Sequence, residues 1–163
     1  MHRHRALRAR RPVASCERRR VRARAIPLVI DTGPLLAAIE PTDEDHEACT
    51  ALLERCRGDR IVPAPVLVEL EYLLRRTDQV DTFARFLDDC RRGAFLVEAL
   101  QPLDYARVGT LLTTYVDLRV GFVDAAVLAV TERLREPKLA TLDHRHFSVM
   151  RPRHVDTLEL LPE

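Results

Sequence analysis

The sequence predicts an α/β fold in which a mostly parallel sheet carries helices on both faces. Three observations lead to it. Short apolar runs of strand length alternate along the chain with longer segments of helical periodicity. The first of these runs is continuously apolar, as a strand covered on both faces requires. Finally, 163 residues at 47% hydrophobic content supply one ordinary domain with a core.

The elements follow in order from residue 26. Residues 26–30 are apolar and stop at Asp31-Thr32-Gly33-Pro34, a strand ending in a loop. Thr32 is placed to cap a helix beginning near Pro34, since proline suits the first helical position. Over residues 43–57, Ala48, Ala51, Leu52 and Cys56 recur at helical spacing, and Gly58 closes the run. Residues 60–62 form a brief strand. A helix over 66–76 carries Val66, Leu67, Leu70, Leu73 and Leu74 on its apolar side. Another spans 80–90 and is followed by Gly93 and a strand at 94–100. Helices over 103–115 and 123–134, a strand at 138–142 and a candidate edge strand at 155–160 complete the chain.

Charge divides the chain in two. Residues 1–25 hold ten Arg and a single acid, Glu17, for about +9, so residues 26–163 carry about −8 although the whole is +1. The basic extension lacks apolar periodicity and is expected to be disordered. It is either an upstream start without a folded role or an arm that tethers RNA by neutralising phosphates. Residues 26–163 form the second unit, the folded domain.

Several classes fall away. Aromatic residues make up 5% and Trp is absent, which disfavours a base-stacking platform. No apolar run approaches the roughly 20 residues of a membrane span. Asp31 interrupts the first run before it can serve as a secretory h-region, so a cytoplasmic location is expected. An organellar transit peptide competes weakly, the extension being rich in Arg but poor in Ser. Cys16, Cys49, Cys56 and Cys90 form no CxxC pair and read as reduced thiols, with Cys49 and Cys56 on one helix face. The basic side chains of the chain are 25 Arg and Lys138, a bias ascribed to coding.

The acids carry the chemistry. In open parallel sheets ligands bind beyond the carboxyl ends of the strands. Asp31 and Asp143 sit there, while Asp124 opens an apolar helix and Glu69 lies within an apolar stripe. Singly, Asp31, Asp124 and Asp143 read equally well as caps, first-turn acids or turn residues. Glu69 must find a charge partner or a metal. Converging carboxylates repel unless neutralised, and a hard cation such as Mg2+ or Mn2+ does so with oxygen ligands. Phosphodiester hydrolysis follows from such a site.

Four stretches then carry a family resemblance: Val29-Ile-Asp31-Thr-Gly-Pro-Leu35, Ala64-Pro-Val-Leu-Val-Glu69, Val120-Gly-Phe-Val-Asp124-Ala-Ala, and Leu139-Ala-Thr-Leu-Asp143-His-Arg-His-Phe147. In this order they resemble PIN-domain ribonucleases, specifically VapC-type toxins of bacterial toxin–antitoxin pairs. The resemblance implies a PIN-like three-layer sandwich with a central, mostly parallel sheet flanked by helices. It also implies a Mg2+ (or Mn2+) site with Asp31 and Asp124 as the most direct ligands. Glu69 and Asp143 complete the pocket or act through waters. Thr141 matches a small hydroxyl that orients a carboxylate or water. The implied reaction is in-line hydrolysis of RNA, with Glu69 or Asp143 taking the proton of the attacking water. A cognate antitoxin across the site, grooves for it near residues 34–40 and 43–57, and homodimerisation are implied likewise. The Arg-rich extension has no counterpart in the family's compact domain.

Around this set, Arg119, His144, Arg145 and His146 flank Asp124 and Asp143 and are candidates to offset the repulsion of RNA. The alternative is that the last three form an exposed turn. Asp117 is a further acid, either supporting the site or solvated. A zinc site from His144 and His146 lacks a third soft ligand. An aspartic protease needs two such aspartates on an all-β scaffold, and this chain has one DTG and long helical patterns. A haloacid-dehalogenase-type phosphotransferase wants an Asp where Gly33 stands. A catalytically silent PIN-like module for RNA or protein binding is the remaining alternative.

Overall fold

A computed structural model of the chain describes residues 26–163; the basic extension and Cys16 lie outside the described residues. Among the described residues, five short strands build one sheet: β1 (Leu28–Ile30), β2 (Arg60–Pro63), β3 (Leu96–Glu98), β4 (Lys138–Ala140) and β5 (Glu159–Leu161). Their order is β3-β2-β1-β4-β5, and every neighbouring pair is parallel. The chain steps outward from β1 to β3, then returns to the other side of β1 with β4. That reversal lies between β1 and β4, where such sheets open a crevice at their carboxyl ends.

The central strand explains its own position. All three residues of β1 are buried, and Val29 and Ile30 are wholly so. Val29 pairs with Ile61 on one side and Leu139 on the other. A strand of this kind has no polar face to offer water, so it is stable only with layers on both sides.

The connecting helices are α1 (Thr32–Ile39), α2 (His46–Arg55), α3 (Ala64–Arg76), α4 (Val80–Arg92), α5 (Pro102–Thr114), α6 (Phe122–Leu134) and the four-residue α7 (His144–Phe147). Helix α3 buries Val66, Leu70 and Leu74, spaced four apart as one stripe. Residues 125–131 of α6 are all buried. A helix apolar around its whole circumference belongs inside the domain, and its three alanines let neighbouring backbones come close.

The structure shifts several boundaries. Asp31, not Thr32, caps α1: its carboxylate accepts from Thr32 N at 2.7 Å, so the helix starts at Thr32. Pro34 then occupies the third helical position, where the missing N–H costs no internal bond. Helix α2 begins three residues later than its spacing suggests, because residues 43–45 turn on the Asp43 side chain, which accepts from Asp45 N at 2.9 Å. It ends at Arg55 with Cys56 in extended conformation, so Cys49 and Cys56 do not share a helix. Gly58 closes no helix; a Cβ there would lie 2.2 Å from the carbonyl oxygen of Ile26. Glycine is required by that close approach. Gly93 does end α4 in the left-handed region, at φ 81°. The strand at 94–100 contracts to β3, and the one at 155–160 shortens and shifts to β5, which runs one residue past the expected end. Arg107 ties the loop before β5 down by donating to Arg151 O, and Glu132 accepts from Arg153 N.

Cys49 is buried and Cys56 and Cys90 are half-buried, all three as free thiols. No helix among the described residues is long and apolar enough to cross a membrane. Two glycine substitutions should separate in sign. Gly58→Ala should destabilise by about 1–3 kcal/mol, as overpacking against backbone does. Gly109→Ala, in α5 with no atom within 4 Å of the added Cβ, should stabilise by about 0.5–1 kcal/mol. Urea unfolding of both variants checks the pair.

Candidate active site

The crevice between β1 and β4 is lined from both strand ends. Asp31 follows β1 and donates its own N–H to Ala140 O at 2.9 Å, which continues the ladder past the strand. Thr141 follows β4 and is fully buried. Its hydroxyl donates to Asp31 Oδ2 at 2.8 Å and accepts from Asp143 N at 3.1 Å. One hydroxyl thus orients the first carboxylate and the peptide of the second.

Asp31 is 5% exposed. Burial pushes its carboxyl up to about 6, against the pull of the Thr32 N–H and the Thr141 hydroxyl; the charges of Asp124 and Glu69 push it further the same way. Glu69 reaches the same region from α3, where Thr32 Oγ1 donates to its Oε2 at 2.5 Å. It is half-buried, and its partner among the described residues is this hydroxyl rather than a cation.

Asp124 stands at the third position of α6 and accepts from Gly121 N at 3.0 Å. Its carboxyl is raised mainly by burial; the Gly121 N–H and His146 oppose this, and Asp143 and Glu69 add to it. Asp143 caps α7 by accepting from His146 N at 3.0 Å. Asp31, Asp124 and Asp143 therefore each hold a helix start while facing one another across the crevice. Capping and site geometry are satisfied by the same side chains.

The sequence alone sets His146 in a basic flank or an exposed turn. In the structure its ring turns inward. Its Nδ1 lies 2.8 Å from Asp143 Oδ2 and 3.4 Å from Asp124 Oδ2, and its Nε2 lies 3.1 Å from Leu118 O. Ligand atoms of Asp124, Asp143 and His146 all fall within 4.8 Å of one another, a spacing suited to a divalent cation. Asp31 and Glu69 stand outside this tightest group, coupled to it through charge. The available signal in the sequence was the three-residue step from Asp143 to His146, which brings both to one face of a helical turn.

The other flanking candidates remain on the surface. His144, Arg145, Asp117 and Arg119 are exposed, and His144 is not part of the cluster that holds His146. Arg119 takes a left-handed conformation at φ 54°, closing a 3₁₀ turn at Val116–Leu118. That turn presents Leu118 O to His146, so it is coupled to the site through backbone.

With this geometry in view, a PIN-domain sequence profile matches residues 28–151. Ribonuclease VapC26 of Mycobacterium tuberculosis is 31% identical over 125 residues, covering 77% of this chain and 93% of the relative. The chain therefore belongs to the PIN-domain family, in its VapC-type branch. Solved structures agree in fold. The crystal structure of M. tuberculosis VapC20, described as a sarcin-ricin loop cleaving toxin, superposes with TM-score 0.69 at 18% identity, covering 78% of this chain and 98% of that one. VapBC2 of Rickettsia felis, bound to a DNA fragment from its promoter, gives 0.62 at 16% identity, with 84% and 100% covered. DNA-bound VapBC of Salmonella typhimurium gives 0.58 at 14% identity, with 83% and 98% covered.

The raised carboxyl of Asp31 has a consequence for stability without metal. Its folded value near 6 exceeds the ordinary 3.8, so the folded state binds more protons between those limits. Stability is therefore highest below pH 4 for this group and is lost as pH rises through 6. The full shift corresponds to about 3 kcal/mol. In EDTA, Asp31→Asn should be more stable than wild type by up to about that amount at pH 8, and the gap should close toward pH 4. Denaturant titrations across pH measure it.

Proposed function

We propose that the chain is a metal-dependent endoribonuclease, the toxin of a toxin–antitoxin pair, inhibited by a cognate antitoxin. One observation carries this reading. Four carboxylates from four separated segments, Asp31, Glu69, Asp124 and Asp143, gather at the crevice where the sheet reverses its winding, and mutual repulsion adds to burial in lifting Asp31 and Asp124. Such repulsion is costly unless a cation relieves it. Membership of the VapC-type branch supports RNA as substrate, as do the names of its relatives.

Asp31, Asp124, Glu69 and Asp143 are assigned as the residues that hold Mg2+ or Mn2+. When bound, the cation supplies Lewis-acid stabilisation of the phosphate and a more acidic water. The chain's own groups do the rest. The Thr141 hydroxyl and Thr32 N–H fix both oxygens of Asp31. The Gly121 N–H fixes Asp124. Glu69, half-buried and held through Thr32 among the described residues, is placed to accept a proton from the attacking water. Exposed Arg119 and Arg145 offset the repulsion between RNA and the acidic domain.

A cavity of about 330 Å3, lined by Leu35 and Ile39 of α1, Leu53 of α2, Phe86 of α4 and Phe95 just before β3, is assigned to an antitoxin segment. Complexes of the R. felis and S. typhimurium neighbours support such a partner. Val68 and Tyr72, 73% and 56% exposed and one turn apart on α3, support a homodimer.

RNA cleavage by wild type and Asp124→Asn, each with Mg2+, Mn2+ or EDTA, tests the reading. Cleavage should require metal and fall by about 100-fold or more in the variant. Undiminished cleavage in the variant would contradict the site. Absence of cleavage by metal-loaded wild type across transfer, ribosomal and messenger RNA would favour a silent binding module instead.

A further inference from the structure

We infer that His146 is a nitrogen ligand of the site's cation, and that it turns the site toward Mn2+ in preference to Mg2+. The inference rests on the metal-dependent reading above and adds a residue and a selectivity to it.

The ring's tautomer follows from its partner. Leu118 O can only accept, so the ring nitrogen 3.1 Å from it, Nε2, carries hydrogen. In the neutral ring Nδ1 then presents a lone pair. That atom is buried and, among the described residues, makes no aligned hydrogen bond. Its nearest neighbours are carboxylate oxygens of Asp143 and Asp124 at 2.8 and 3.4 Å. A lone pair facing two carboxylates is repulsive unless a positive charge lies among them. Donors at right angles around an ion with bonds of about 2.1–2.2 Å are about 3 Å apart. The two distances straddle that value.

The support behind the ring is the kind that ligating histidines carry. Their second nitrogen usually donates to a backbone carbonyl or carboxylate, which fixes tautomer and orientation. Leu118 O does this from the 3₁₀ turn, and His146 N is in turn held by Asp143 Oδ1. Side-chain exposure of 16% leaves the ring little room to swing to solvent. Both ions suit oxygen donors, but Mg2+ gives up water reluctantly, and Mn2+, as a transition ion, binds an imidazole nitrogen among those oxygens more strongly than Mg2+ does. The protein-only alternative is a proton on Nδ1, with the imidazolium bridging the two carboxylates.

Pulsed electron paramagnetic resonance on Mn2+-loaded full-length protein separates these. Coordinated imidazole should give 14N modulation that converts to 15N modulation when histidine alone is 15N-labelled, so wild type suffices for the test. The signal should vanish in His146→Gln and persist in His144→Gln. By calorimetry, the Mn2+/Mg2+ affinity ratio should fall about tenfold or more in His146→Gln. Bound Mn2+ without histidine nitrogen modulation, or modulation that survives His146→Gln, overturns the inference while leaving the oxygen site standing. Wild type that binds no Mn2+ overturns the metal-dependent reading itself, and this inference with it.

Discussion

The hydrogen bond from Thr141 to Asp31 joins the carboxyl ends of β1 and β4, the two strands between which the sheet changes its direction of winding. Three of the four acids of the site are positioned relative to it. Asp31 is held almost out of solvent, with one oxygen on the Thr32 N–H that starts α1 and the other on Thr141. Thr32 in turn holds Glu69 of α3, and Thr141 receives the Asp143 N–H that leads into α7. Two adjacent residues at one strand end and one hydroxyl at the other therefore align three of the four acids. Asp124 arrives separately, on a helix whose buried middle fixes its first turn.

This arrangement stores a conflict of charge. Burial and neighbouring carboxylates lift Asp31 and Asp124, and the apolar strands beneath provide no cation to relieve them. A fold selected for stability alone would place amides or apolar side chains here. The bonds to backbone N–H groups keep each carboxylate oriented despite the repulsion, which is what a preorganised cation site requires.

Much of this is legible in the sequence alone, for identifiable reasons. The apolar runs around Asp31 and Asp143 end at the strand ends, and the apolar frames of Glu69 and Asp124 make acids conspicuous. Parallel strands joined by helices leave few topologies, so the carboxyl-end crevice could be anticipated. His146 was harder to place, since an inward histidine in a polar turn has no apolar frame and α7 is too short to show a period. Gly58 looked like a helix stop because the approach of Ile26 is a tertiary event invisible to local pattern. The parallel sheet also disposes of the aspartic-protease reading of Asp31-Thr32-Gly33, which requires an all-β scaffold. Gly33 meets Leu142 across the crevice at 3.3 Å from an added Cβ, a packing position between the two strand ends.

The central claim is spatial: the acids at the β1–β4 crevice form one cation site. Anomalous diffraction from a crystal soaked in Mn2+, collected at the manganese edge, locates the ion directly. A peak within bonding distance of Asp124 and Asp143, with Asp31 and Glu69 facing it directly or through water, is the predicted result. A fully soaked crystal with no peak in the crevice, or with manganese bound only elsewhere on the surface, would contradict it.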